Sequence, residues 1–322
     1  MQEMSRKNKL FTDSVIRRMT RVSLACGAIN LAQGFPDFDP PKALTDRLAE
    51  VSALGPHQYP ITMGAPNFRQ ALARKAGRFM GRTLDPETDM VVTIGSTEAM
   101  VDTIFALTNP GDKIIMFSPY FENYRAQAIM ADCEPVFVPL VPPEFNFDAN
   151  VLEDAFKQGA KAILICNPSN PSGKVFTYDE LKLISELCIK YDAFAIMDEV
   201  YEHIVYDGHK HIYMNSLPGM WERTVSCSSL SKTYSVTGWR LGYVAAPAQA
   251  RRAERILPLL TQEEADVFRR GRNTAPHSVP KGASRGEYQT ATALEALFGW
   301  LYLQGRTDRL NQLFSTMMEG EL

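Results

Sequence analysis

MVVTIGSTEAMVDTIFALTNPGDKIIMFS, residues 90–118, carries the reading that decides the fold class. An apolar run, Met90–Ile94, is followed by Gly95-Ser96-Thr97 and a helix-period stretch that extends to Leu107. Asn109-Pro110-Gly111 stops that helix, and a second apolar run, Lys113–Phe117, begins directly after it. The alternation continues outward with a helical pattern over Tyr124–Met130, an apolar run over Lys161–Cys166 and a second helical pattern over Tyr178–Tyr191. Thr177 stands where it can cap that last helix. Three more apolar runs follow: Ala193–Met197, Thr224–Ser228 and Leu241–Ala246. Strands alternating with helices in this way predict an α/β layer built on a mainly parallel sheet. Residues 1–45 read as an irregular arm with a helix, and Gly34, Pro36 and Asp37 mark a loop at its end.

Composition sets the outer bounds. The chain has 322 residues and a formal net charge of −3, with 45% hydrophobic and 22% charged residues, which is globular and neither disordered nor fibrous. That length predicts about two domains with a large core. No basic excess supports nucleic-acid binding, and the apolar runs fall short of the roughly 20 residues a membrane helix needs. The opening MQEMSRKNKLFTDS has no apolar core of the secretory kind. Cys26, Cys133, Cys166, Cys188 and Cys227 are scattered with no C-x-x-C pair, as expected for reduced thiols in a cytoplasmic protein. His209-Lys210-His211 follows an Asp-Gly turn and reads as an exposed loop in preference to a metal pair.

In open parallel sheets, ligands bind beyond the carboxyl ends of the strands. The segments to read are therefore Gly95-Ser96-Thr97, Ser118–Phe121, Asn167–Pro171, Asp198–Tyr201 and Ser228–Lys232. Lys232, in a Ser-rich turn, can form a Schiff base with a carbonyl if its amine is depressed by burial or a nearby cation; in isolation the same motif also fits an exposed loop lysine. Gly95-Ser96-Thr97 opens a helix and can bind phosphate through free N–H groups, or can simply cap it. Asp198 ends a strand, where a buried carboxylate needs a cationic partner or a protonated ring nitrogen. A phosphate site, an aldehyde-capturing lysine and a carboxylate for a pyridinium nitrogen are together what pyridoxal phosphate requires of a protein.

Residues from about 15 to 247 resemble the fold-type I pyridoxal-phosphate aminotransferases of class I/II, near the aspartate, methionine and kynurenine aminotransferase-like members. The motifs are INLAQGFPDFDPP, HQYPITMGAPNFRQAL, GSTEAM, CNPSNPSGKVF, MDEVYEHIVY and SSLSKTYSVTGWRLGY. The resemblance implies pyridoxal 5'-phosphate as cofactor and Lys232 as the Schiff-base lysine, which also moves the substrate proton. It implies that Asp198 pairs with the ring nitrogen, and that Tyr201 and Asn170 bond the phenolic oxygen. Phe121 would stack on the ring, while Ser96, Thr97, Ser229 and Arg240 would hold the phosphate. Tyr59 would reach the phosphate of a neighbouring subunit, implying a homodimer, and Gly34 would line the substrate carboxylate pocket.

After Pro247 the likeness is expected to stop. Residues 248–319 resemble the C-terminal half of Mini-ribonuclease III, through AQARRAERILPLLTQEEADVFRRGRN and VPKGASRGEYQTATALEALFGWLYLQGRTDRL. That resemblance would make Glu295, on a helix over Thr292–Leu303, a magnesium ligand and Arg270-Gly271-Arg272-Asn273 an RNA-facing loop. Nuclease chemistry needs several convergent carboxylates, and the partner acid motif is absent, so no RNA role is expected. The organisation expected is an arm and small-domain portion at 1–45, a large domain at 46–247 whose seven-stranded-type sheet is truncated, and an all-α tail at 248–322. A join near 248, by truncation, assembly or construction, is preferred to an evolved fusion. The expected function is transamination between an L-amino acid and a 2-oxo acid through Lys232. The alternatives are a chimera that binds the cofactor without turnover, a carbon–sulfur β-lyase on the same fold, and RNA processing by the tail. Loss of the family's carboxylate-clamping arginine would weaken substrate binding, and Arg251, Arg252 or Arg255 could replace it only if the tail folds back.

Overall fold

The computed structural model describes residues 3–11, 13–55, 57–59, 61–247, 259–273 and 285–318; the side chains of 271–273, 285–292, 295 and 318 are outside that description. The chain divides into two compact units, residues 1–62 with 91–244, and residues 63–90 with 245–322.

The first unit is organised on a seven-stranded sheet. Its strands are β1 (Met90–Ile94), β2 (Lys113–Ser118), β3 (Glu134–Pro139), β4 (Ala160–Cys166), β5 (Phe194–Asp198), β6 (Thr224–Ser229) and β7 (Leu241–Ala245). Their spatial order is β1-β7-β6-β5-β4-β2-β3, and the pairs β2–β3, β2–β4, β4–β5 and β5–β6 are all parallel. All seven strands expected of this type of sheet are present, so the truncation expected from the sequence does not reach the sheet. The connecting helices are α4 (Gly95–Leu107), α5 (Asn123–Met130), α6 (Ala149–Lys157) and α7 (Tyr178–Lys190); α1 (Val15–Cys26) and α2 (Lys42–Ser52) precede them.

Alternation along each strand explains the layers. Ile115, Phe117, Ile163, Ile165, Ala195 and Met197 turn to one face and pack against Leu152 and Phe156 of α6 and Leu181, Ile184 and Cys188 of α7. The intervening Ile114, Met116, Leu164 and Ile196 are also buried, so both faces of the central strands are covered. Such two-sided burial is the usual state of parallel sheets and accounts for the near-continuous apolar runs. Thr177 does cap α7: its hydroxyl accepts the Glu180 N–H at 3.3 Å while the Glu180 carboxylate accepts the Thr177 N–H at 2.8 Å.

One expectation for this unit is overturned. His211 is no exposed loop residue. Its imidazole is 4% exposed, with Nε2 3.6 Å from Glu199 Oε1 and its ring edge-on to Tyr213 at 4.4 Å. The reason is local: the chain beyond the Asp207-Gly208 turn folds back so that Tyr213 and Met214 enter the core, drawing His211 in.

The second unit contains α3 (Pro66–Met80), and three helices of the tail, α8 (Gln262–Asn273), α9 (Arg285–Leu303) and α10 (Thr307–Met318). Phe268, Leu294, Leu297, Leu301, Leu313 and Met317 form the common core of the last three. Arg270–Asn273, expected as an RNA-facing loop, are instead the last turn of α8. That helix starts with a reciprocal cap, in which the Thr261 hydroxyl accepts the Glu264 N–H at 3.3 Å and the Glu264 carboxylate accepts the Thr261 N–H at 2.9 Å. The Glu295 side chain, Arg251, Arg252 and Arg255 lie outside the described residues.

Glu264 also joins two helices of this unit. Its fully buried carboxylate takes Arg309 Nη2 and Nε, each at 2.9 Å, and Arg306 Nη2 at 3.3 Å. Chiefly through the Arg309 bond, its carboxyl is held down to about 2. A folded-state value below the unfolded one, about 4.3, stabilises the fold above the unfolded value and loses that contribution as pH falls through 2. The window from pH 4.5 to 2 should therefore cost on the order of 3 kcal/mol through this group. Acid unfolding of a Glu264→Gln variant, followed by helical circular dichroism, should start from lower stability at pH 7 and show a flatter slope over that window. Parallel wild-type and variant curves would remove the assignment.

Candidate active site

The register of the sheet aligns Cys166 with Asp198 and Asp198 with Cys227, so the segments leaving β4, β5 and β6 emerge side by side at one sheet edge. The Asn167 N–H donates to the Asp198 carbonyl at 3.0 Å, tying the first two together. Asp198, Asn167–Pro171 and Ser228–Lys232 are thereby collected, as the strand pattern predicts.

Asp198 is 7% exposed and no cation pairs with it among the described residues. Tyr124 donates its hydroxyl to Oδ2 at 2.5 Å, and the Val200 N–H donates to Oδ1 at 3.2 Å. Burial raises the carboxyl above its usual range, and these two bonds oppose the rise. A carboxylate offers about four lone-pair sites. Two donors leave acceptor capacity for a third, such as a ring N–H.

Tyr124 escaped the sequence reading, which treated Tyr124–Met130 only as helix. A signal existed, because Tyr124 lies three residues after Phe121, so a helix starting between them brings both rings together. The rings do meet, edge to face, with centroids 5.6 Å apart. Gln127, one turn along the same helix, donates from Nε2 to the Thr97 carbonyl at 3.1 Å. One face of α5 thus links the start of α4 to Asp198.

Tyr201 and Asn170 are also brought near each other. Burial first, then the nearby Cys166 and Asp198, push the Tyr201 hydroxyl up to about 12, and Asn170 opposes that shift. Lys232 is half-buried in the turn after β6, a turn closed by Val236 N–H to the Ser231 carbonyl at 3.0 Å and by Thr237 Oγ1 to the same carbonyl at 3.2 Å. Burial alone lowers its ammonium pKa, and no carboxylate pairs with it among the described residues. A larger neutral fraction makes a better nucleophile.

The opening of α4 has the geometry of an anion cradle. Gly95 sits at φ +74°, and a Cβ built there would lie 2.2 Å from Arg240 Nη2 and 2.8 Å from Cζ. Only glycine tolerates both the backbone angle and the guanidinium passing over it. Gly242 makes a second close approach, since its Cβ would fall 2.2 Å from the Gly95 carbonyl carbon and 2.6 Å from Ser96 N. Ile94, at the N-cap, offers no side-chain cap, and the Glu98 carboxylate of the first turn accepts the Ile94 N–H, leaving the N–H groups of Gly95-Ser96-Thr97 without a side-chain acceptor among the described residues. A guanidinium placed against the positive end of a helix is unfavourable unless an anion joins them, which is what a phosphate would do there. Ser96 and Thr97 lie in that first turn, and Ser229 is buried at 2%, with its hydroxyl accepting the Ser231 N–H at 3.2 Å.

Two expected residues stand apart in the single chain. Tyr59 is 91% exposed, and Gly34 lies in an exposed loop with nothing within 4 Å of a built Cβ.

Comparisons with known proteins agree with this geometry. A family profile described as aminotransferase class I and II matches residues 27–277. Kynurenine--oxoglutarate transaminase 3 of Mus musculus is 38% identical over 240 residues, covering 71% of this chain and 53% of the relative. The chain thus spans about half the length of the curated relatives it matches. Among solved structures, YbdL of Escherichia coli, described as a methionine aminotransferase, aligns with a TM-score of 0.72 and 33% identity over 77% of this chain and 65% of its own. The N-succinyldiaminopimelate aminotransferase of Mycobacterium tuberculosis aligns with a TM-score of 0.73 and 31% identity over 96% of this chain and 78% of its own. The ribonuclease likeness expected for 248–319 is not borne out. The aminotransferase match runs past 248 to 277, and the Mycobacterium alignment takes in nearly the whole chain.

Proposed function

The chain belongs to the class I and II aminotransferases, and from that premise we propose that it transfers an amino group between an L-amino acid and a 2-oxo acid with pyridoxal 5'-phosphate as cofactor. The observation that carries the proposal is the convergence, at one sheet edge, of an anion cradle, a half-buried lysine with no carboxylate partner among the described residues and a buried carboxylate with acceptor capacity to spare. When bound, the cofactor supplies an electron sink for the charge left at the substrate α-carbon.

The residues divide the work by chemistry. Arg240 Nη2, the first-turn N–H groups of α4, and the hydroxyls of Ser96, Thr97 and Ser229 bind the phosphate. Asp198 accepts the ring N–H and keeps that proton in place, while Phe121 covers a ring face. Tyr201 and Asn170 donate to the phenolic oxygen. Lys232 Nζ captures the aldehyde and then moves the substrate proton as a general base and acid. The exposed Tyr59 suits a phosphate contact made to a second copy of the chain, and Gly34 suits the substrate carboxylate loop. Kynurenine, methionine and N-succinyldiaminopimelate are the amino donors to try first, with 2-oxoglutarate as acceptor, because the similar proteins carry those names.

Purified chain incubated with pyridoxal phosphate, a donor and 2-oxoglutarate should yield the donor's keto acid and glutamate in equal amounts. Ammonia and pyruvate from a cysteine conjugate would point to β-elimination on the same site. An absorbance change on adding cofactor, with no product from any donor, would mean binding without turnover.

A further inference from the structure

Tyr124 has a task that the family assignment does not give it. It is 3% exposed, and its hydroxyl reaches Asp198 Oδ2 at 2.5 Å across 74 residues of sequence. Four titratable side chains surround the carboxylate: Tyr124 from α5, Cys166 from β4, Cys227 from β6 and Tyr201 from the turn after β5. None of the four is a cation, and Tyr124 is the one whose side chain donates to Asp198 at hydrogen-bonding distance. The remaining donor, the Val200 N–H, is longer at 3.2 Å and belongs to the backbone.

We propose that Tyr124 is a positioning residue that holds the Asp198 carboxylate charged and aimed into the site through its hydroxyl, while its ring edge fixes Phe121. The inference rests on the cofactor reading of Asp198 given above. The physical need is clear: a buried carboxylate without a cation must take its stabilisation from hydrogen bonds, and a bond to a charged acceptor is about twice as strong as a neutral one. The same ring sets the stacking residue, so one side chain fixes both the edge and the face of the bound ring.

The test uses the full chain without cofactor. With carboxyl-¹³C aspartate incorporated and the Asp198 resonance assigned by Asp198→Asn, its titration can be followed directly. Tyr124→Phe keeps the ring and its contact with Phe121 but deletes the donor, and should raise the Asp198 midpoint by about one to two pH units. Placing 3-fluorotyrosine at 124, a stronger donor of nearly the same shape, should lower it. Opposite shifts in two variants of almost equal volume cannot come from packing, and the fluorinated form keeps the test open if Tyr124→Phe fails to fold. A midpoint unchanged in either folded variant overturns the proposal. Binding of pyridoxal phosphate by the unmodified chain, measured separately by absorbance, tests the cofactor reading, so the two failures are distinguishable.

Discussion

Lys232→Ala should abolish transamination, with a loss of at least about 10⁴-fold, because on the proposed reading it removes both the nucleophile and the proton-transfer group. The half-buried amine has no carboxylate partner among the described residues, and burial lowers its pKa, which enlarges the neutral fraction able to attack an aldehyde. Borohydride treatment of the wild-type chain with pyridoxal phosphate should fix the cofactor's mass on the peptide that contains Lys232, and on no peptide of the variant. The absorbance of added cofactor should shift in the wild type and stay as free cofactor in the variant. Label on another lysine, or equal turnover by the variant, would sink the assignment. Folding should be preserved, since Lys232 is only partly buried and makes no ion pair among the described residues.

Gly242→Ala is expected to have the largest effect on stability. The added methyl would meet backbone: 2.2 Å to the Gly95 carbonyl carbon, 2.5 Å to its oxygen and 2.6 Å to Ser96 N. Backbone in a strand–helix junction cannot swing aside as a flexible side chain can, so the cost should be on the order of 3 kcal/mol or more. Urea unfolding should show this as a lower midpoint. Gly238→Ala is the control, because nothing lies within 4 Å of its built Cβ, and it should fall within about 0.5 kcal/mol of wild type. If Gly242→Ala and Gly238→Ala behaved alike, the close approach of the two segments would be wrong.

The same junction shows how far a sequence can be read. Met90–Ile94 was legible as a strand to the residue, and Thr177 as a cap, because both depend on neighbours in the chain. β3, Glu134-Pro135-Val136-Phe137-Val138-Pro139, is not among the apolar runs read from the sequence, and its two prolines disfavour a strand on local grounds. It lies at the sheet edge, where one side needs no ladder partner and proline is tolerated. The tail differs from its expected reading for another reason. The ribonuclease likeness implied a loop at Arg270–Asn273, but the Thr261–Glu264 cap and the Glu264–Arg309 pairing hold that stretch in a packed helix.

The sequence by itself determined the α/β class, the positions of most strands and the segments that follow them, because periodicity and turn chemistry are local properties of the chain. It also placed Lys232, Asp198, Asn170 and Tyr201 in such segments. Only the tertiary structure decided which groups touch. Tyr124 on Asp198, Arg240 over Gly95, Gly242 against Ser96 and Glu264 on Arg309 all join residues far apart in sequence. Contacts of that kind depend on strand order and helix packing, and a few ångströms decide whether a carboxylate finds a donor or a guanidinium meets a helix end.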